Sequence, residues 1–183
     1  SPIEQTQESS GGTVIRSFRN AEDGIATGVE IEFRKELFKN FRIGANGSYM
    51  YTNVVLPEGG VYTDSERALQ GASPFLINAD LSYTPQLRGE SDLTLALVYN
   101  VQGPRIETVG IYGTGNIKQQ TLHTMDFIAS YAINKHLNLR LQMKDLLNST
   151  IRFKQELPAT GQKVEVESFR PGTHPEIEVS YRY

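Results

Sequence analysis

The chain has 183 residues, of which 21% are charged, with a net charge of −3 and a mean hydropathy of −0.38. It holds no cysteine, which excludes a disulfide scaffold and a thiolate metal site, and its dispersed basic residues give no nucleic-acid footprint. No apolar run approaches the roughly 18 residues of a membrane-spanning helix. That excludes a helical membrane protein but not a β-barrel, whose lumen-facing residues are polar and lower the average.

The apolar residues recur with period two, the signature of strands with one apolar and one polar face. After a strand stub at 2–7, strands are predicted at 13–37, 40–54, 69–84, 91–105, 119–133, 136–156 and 163–183, about eight in all. In the second of these, Val29, Ile31 and Phe33 alternate with Glu30, Glu32 and Arg34. Phe41, Ile43, Ala45, Gly47 and Tyr49 follow, then Phe75, Ile77, Ala79, Leu81 and Tyr83. Leu93, Leu95, Leu97 and Tyr99 form the next set, and Leu137, Leu139, Leu141 and Met143 a later one. The chain closes on Ile177-Glu178-Val179-Ser180-Tyr181-Arg182-Tyr183. No stripe of period 3.6 with a helix cap is present.

The connections alternate in length. Short ones fall at 38–40, 85–91 and 134–135, and long ones at 54–69, 103–120 and around 158–161. Aromatics gather near strand ends, and several alternations run to the roughly 9–11 residues that cross a bilayer when tilted. Together these features predict an all-β, antiparallel up-and-down transmembrane barrel with an aromatic girdle at each interface. Leu95, Leu97, Leu137, Leu139, Leu141, Val179 and Tyr181 are expected on the lipid side. Glu30, Asp80, Asp126, Arg140 and Gln142 are expected on the concave side. The last two strands should form one hairpin with its tip near Thr160. Matching apolar parity sets Leu139 opposite Tyr181, Leu141 opposite Val179 and Met143 opposite Ile177, with Gln142–Glu178 and Lys144–Glu176 as the polar partners.

Five stretches in order resemble TonB-dependent outer-membrane receptors, with a style similar to those of Bacteroidetes-type bacteria. They are Asn20 through Glu32, Leu69 through Ala79, Tyr99-Asn100-Val101-Gln102-Gly103-Pro104-Arg105-Ile106, Asp145-Leu146-Leu147-Asn148, and Arg170-Pro171-Gly172 with the terminal strand. The resemblance implies that residues 1–183 are about the last eight strands of a barrel of about 22. It also implies that a plug domain and TonB box lie elsewhere in the full protein. The activity it implies is TonB-dependent uptake of a scarce nutrient complex across the Gram-negative outer membrane, with iron-siderophore or haem the commonest cargo. The partners it implies are outer-membrane lipid, the protein's own plug, TonB, the barrel-assembly machinery and the small-molecule nutrient complex. Two other readings fit the alternation itself: a small autonomous barrel of about eight strands serving as adhesin or anchor, and a soluble all-β binding domain.

No set of residues reads as catalytic. His123, His136 and His174 lack a second ligand at metal-site spacing, and the carboxylate pairs Glu30/Glu32 and Glu176/Glu178 each share one polar strand face. The chain is therefore expected to be no enzyme and to hold no metal or cofactor. The long connections carry Tyr62, Asp64, Arg67, Arg105 and Tyr112, a mixture suited to an anionic or amphipathic ligand. The alternating Ile177, Val179, Tyr181 and Tyr183 resemble the C-terminal barrel-assembly signal.

Overall fold

The computed structural model describes residues 3–10, 13–56, 62–87 and 91–183, and side chains only from residue 18 onward, without residue 19. Pro2 of the predicted stub and parts of two predicted connections, 57–61 and 88–90, lie outside the described residues. Every regular element among the described residues is a strand.

Strands β1 (Ile3–Ser10) and β2 (Thr13–Asn20) form a hairpin of their own. The predicted stub is thus one arm of this hairpin, whose other arm leads through Ala21-Glu22 into β3. The predicted continuous strand 13–37 is broken at Ala21-Glu22, where buried Ala21 packs with Val54 and Leu56.

The main sheet is an antiparallel meander of seven long strands. They are β3 (Asp23–Phe38), β4 (Phe41–Val55), β6 (Phe75–Tyr83), β7 (Asp92–Gln102), β10 (Leu122–Ala132), β11 (Leu137–Lys144) and β14 (His174–Tyr181), with short β5 (Glu66–Arg67) added on β4. Among the described residues the sheet is open: β3 pairs only β4, and β14 pairs only β11. The alternative reading of an autonomous barrel required the first strand to close on the last, and no such pairing is present among the described residues. The predicted strand 69–84 begins only at Phe75. Before it, Gly71 takes a left-handed φ of 77° and Pro74 lacks the donor a ladder needs.

Register carries the alternation across the whole sheet. Phe38, Phe41, Tyr83, Leu95, Ala129, Leu141 and Ile177 lie side by side in one row over seven strands. On the other face, Glu32, Asn46, Asn78, Asn100 and Thr124 form a polar row, with Asn78 Nδ2 donating to Asn46 Oδ1 at 2.7 Å. Glu30, Asp80, Asp126, Arg140 and Gln142 share this polar face by the same register. Among the described residues, no layer covers the apolar face. Leu97, Leu139, Leu141, Val179 and Tyr181 are exposed, while Leu95 and Leu137 are half-buried by neighbours in the sheet. The buried apolar residues among those described are only Ala21, Val54, Leu56 and Ile106. A water-soluble sheet of this size would bury one face against a second layer. A lipid-facing sheet has no need to.

A second sheet, in the order β13-β12-β9-β8, continues the main sheet at its long-loop end. Its strands are β8 (Arg105–Thr108), β9 (Ile117–Gln119), β12 (Ile151–Glu156) and β13 (Lys163–Phe169). Four strands predicted as continuous are therefore each broken once, at 103–104, 120–121, 145–150 and 170–173. At the first break, Gly103 N donates to Phe75 O at 2.9 Å, and a Cβ on Gly103 would sit 2.8 Å from the Phe75 ring. At the third, Asp145 and Asn148 take φ of 50° and 48°, a region their short polar side chains tolerate. Asp145 holds that corner: its N–H donates to Asp126 Oδ1, its Oδ2 accepts from Ser149 N, and its carbonyl accepts from Thr173 Oγ1, each at 2.9 Å.

These breaks correct the expected hairpin register. Above the break Ile151 faces Phe169, as an unbroken ladder would have it. Residues 145–150 then intervene on one strand but only 170–173 on the other, two fewer. Below the break Leu139 consequently faces Val179, Leu141 faces Ile177 and Met143 faces Pro175. A shift of two keeps every side chain on its predicted face, whereas a shift of one would have inverted them.

Candidate ligand-recognition cleft

The three long connections meet at one end of the molecule. There the end of β4, the segment 64–74, β8–β9 and the start of the β12–β13 turn enclose a cleft of about 710 Å³. That volume falls within the range of small-molecule sites. Hydrogen bonds between connections hold its walls. Asn116 Nδ2 donates to Asp64 Oδ2 at 2.6 Å while Asn116 Oδ1 accepts from Gly110 N at 2.8 Å. Gln70 Nε2 donates to Glu107 O, and Gly71 N donates to Ile106 O. Gln155 Nε2 donates to Gly115 O at 2.9 Å, which ties the last hairpin to the second loop. Asn53 Nδ2 donates to Glu66 Oε2 at 3.1 Å, and Arg105 Nε donates to buried Gln119 Oε1 at 2.9 Å.

Of the sequence-predicted ligand residues, Asp64, Arg67 and Arg105 line this cleft together. Arg67 is buried at the foot of β5, with its backbone in register with Val54. Tyr62 does not line the cleft. It bridges to Ile111 and packs on the Ala21–Val54–Leu56 cluster, so its ring anchors the loop to the sheet. Tyr112 is an exposed turn residue with φ of 51° and also lies off the cleft lining. Sequence reasoning did not single out Glu156, which lines the cleft from the last hairpin. It stands at the end of β12, where the β12–β13 turn meets the other loops.

The four residues of the predicted assembly signal sit at the opposite, short-turn end or on the strand leading to it. Ile177, Val179 and Tyr181 project from the exposed apolar face of β14, and Tyr183 is fully exposed, its ring edge-on to Tyr181 at 5.8 Å. His136 fastens this end to β11: its carbonyl accepts from Arg182 N at 2.8 Å, and its Nδ1 lies 2.9 Å from Arg182 O.

An open antiparallel meander with one uncovered apolar face, one polar face and a loop-built cleft at one end defines a membrane-barrel class of protein. The chain belongs to the outer membrane protein beta-barrel family, whose model matches residues 2–183. Membership makes it an outer-membrane protein. No curated protein and no solved structure matches it.

Proposed function

We propose that this chain is the C-terminal part of a larger outer-membrane barrel that takes up a scarce nutrient complex, with energy supplied through TonB. The cleft is the observation that carries this reading. It gathers charged and amide side chains from three separate connections at one mouth of a polar sheet face, as a receptor for a small solute requires. The open edges of β3 and β14 support a larger barrel, because every backbone donor and acceptor within a bilayer must be paired. The segments that resemble TonB-dependent receptors also have structural roles here. Residues 69–75 build the cleft wall, Gly103-Pro104 makes one strand break, and Asp145–Asn148 makes another. The cargo is a small-molecule nutrient complex, with iron-siderophore or haem first in line from the resemblance alone.

The test is growth and uptake in cells carrying the full-length protein as their sole candidate receptor, with and without TonB. Uptake of an iron-siderophore or haem that needs both the protein and TonB is the expected result. Uptake that persists undiminished without TonB would overturn the energy-coupled reading.

A further inference from the structure

We propose that the cleft takes a multivalent oxyanion, a solute bearing carboxylate or phosphate groups, through the paired ammonium groups of Lys118 and Lys154. The proposal rests on the reading of this cleft as a solute site and names the substrate class.

Lys118 on β9 and Lys154 on β12 are direct cross-strand partners, so their side chains leave the sheet on the same face. Two like charges placed directly opposite each other destabilise a strand pair. The next residue in this row is Ile106 on β8, which lines the cleft together with Lys118. Lys118 lines the cleft, and register puts Lys154 on the same face beside it, where it lines a neighbouring hollow. Arg152, two residues before Lys154 on the same strand, adds a third cation to that face, and it lines an adjoining hollow with Lys154.

None of the nearby carboxylates is ion-paired with Lys118 or Lys154 among the described residues. Glu165 stands in register with Lys154, but it accepts a hydrogen bond from Ser168 Oγ at 2.8 Å and lies 4.0 Å from Arg152. Glu156 stands in register with Lys163. Asp64 and Glu66 of the cleft accept from the neutral amides of Asn116 and Asn53, which fix their orientation but leave their charge in place. Neither Lys118 nor Lys154 has an ion pair or side-chain hydrogen bond among the described residues. An oxyanion bridging the two ammonium groups would relieve their repulsion and gain two charge-assisted hydrogen bonds.

The experiment measures retention of labelled pyrophosphate and of labelled tricarballylate by outer membranes from cells that express the full-length protein. Saturable, salt-sensitive retention is expected, weakened at least about tenfold by Lys118→Gln and by Lys154→Gln. Lys118→Arg should retain the probe, and Lys39→Gln, in the short β3–β4 turn at the opposite end, should not change binding. Preference for one probe would identify phosphate or carboxylate as the group recognised. Heat-modifiable mobility reports folding, so if one glutamine variant fails to fold the other decides. Absence of retention by the unsubstituted protein, or equal retention by all variants, would overturn the proposal. Binding is read without TonB, so energy-independent uptake would sink the transport reading while leaving this one intact.

Discussion

Lys144 Nζ lies 2.6 Å from Glu176 Oε2, although the two residues are not cross-strand partners. Lys144 stands opposite His174, and Glu176 stands opposite Gln142, so the ion pair runs diagonally between β11 and β14. Both side chains are about half exposed, so water screens the pair and it contributes little to stability. Glu176→Gln should leave the yield of folded protein and its denaturation midpoint unchanged. A marked fall in either would show that this diagonal contact fixes the register of the last strand.

The two faces of β11 should respond oppositely to one substitution. Leu141 sits in the seven-strand apolar row between Ala129 and Ile177. Leu141→Arg should cost about 2–4 kcal/mol if it lies near the bilayer midplane. Gln142→Arg, one residue on, faces water beside Glu176 and should cost well under 1 kcal/mol by the usual scale of surface substitutions, about ±0.5 kcal/mol. Unfolding of the full-length protein in lipid vesicles compares the two, and equal losses would contradict the assignment of faces.

The strand break at Gly103 is a packing constraint. A Cβ there would meet the Phe75 ring at 2.8 Å and Ser73 Oγ at 3.0 Å. Ser73 is itself buried, its Oγ 2.9 Å from Phe75 O and 3.0 Å from Gly103 O, so it has little room to withdraw. Gly103→Ala should destabilise by about 1–3 kcal/mol through overpacking. Gly161→Ala, with open space around it but a φ of 67°, should cost only the left-handed penalty of about 1–2 kcal/mol. Denaturant titration distinguishes them, because Ser73→Ala should relieve part of the first penalty and none of the second.

Asn116 joins two loops with one side chain, accepting from Gly110 N and donating to Asp64. Asn116→Ala removes both bonds, at a cost of about 1–3 kcal/mol for partners left without a bond. The expected outcome is faster hydrogen exchange and protease cleavage in 62–75 and 105–119, with the β10–β11 ladder unchanged. Unaltered loop protection would show that the cleft wall does not depend on this bridge.

Tyr183 bears on assembly and not on recognition. It lies at the short-turn end, beyond the His136–Arg182 backbone bond and away from the cleft. Tyr183→Asp should lower the heat-modifiable folded fraction in outer membranes, because an aromatic at the strand end anchors an otherwise bare edge at the interface. Molecules that do insert should keep their solute binding. Equal folded amounts would reject the assembly role.

What the sequence determined by itself follows from local periodicity. Alternation such as Leu137-Asn138-Leu139-Arg140-Leu141 marks a strand and assigns each residue to a face, and no register shift by two can alter that. Connection length likewise indicated which loops share an end, because consecutive antiparallel strands return the chain to alternate ends. It therefore placed Asp64, Arg67 and Arg105 at the same end of the molecule. Three things were decided only in three dimensions. The register of β11 on β14 depended on the unequal breaks at 145–150 and 170–173, held by Asp126 of β10 together with Asp145 and Thr173 in the two breaks. The pairing of β1 with β2 was set by contacts the alternation does not encode. The membership of the cleft depended on loop packing: Tyr62 was drawn onto Val54 and Leu56, Tyr112 was left on a turn, and Glu156 was brought in from a distant strand. Each of these outcomes is settled by contacts between residues far apart in the chain, and such contacts leave no periodic signal in the sequence around them.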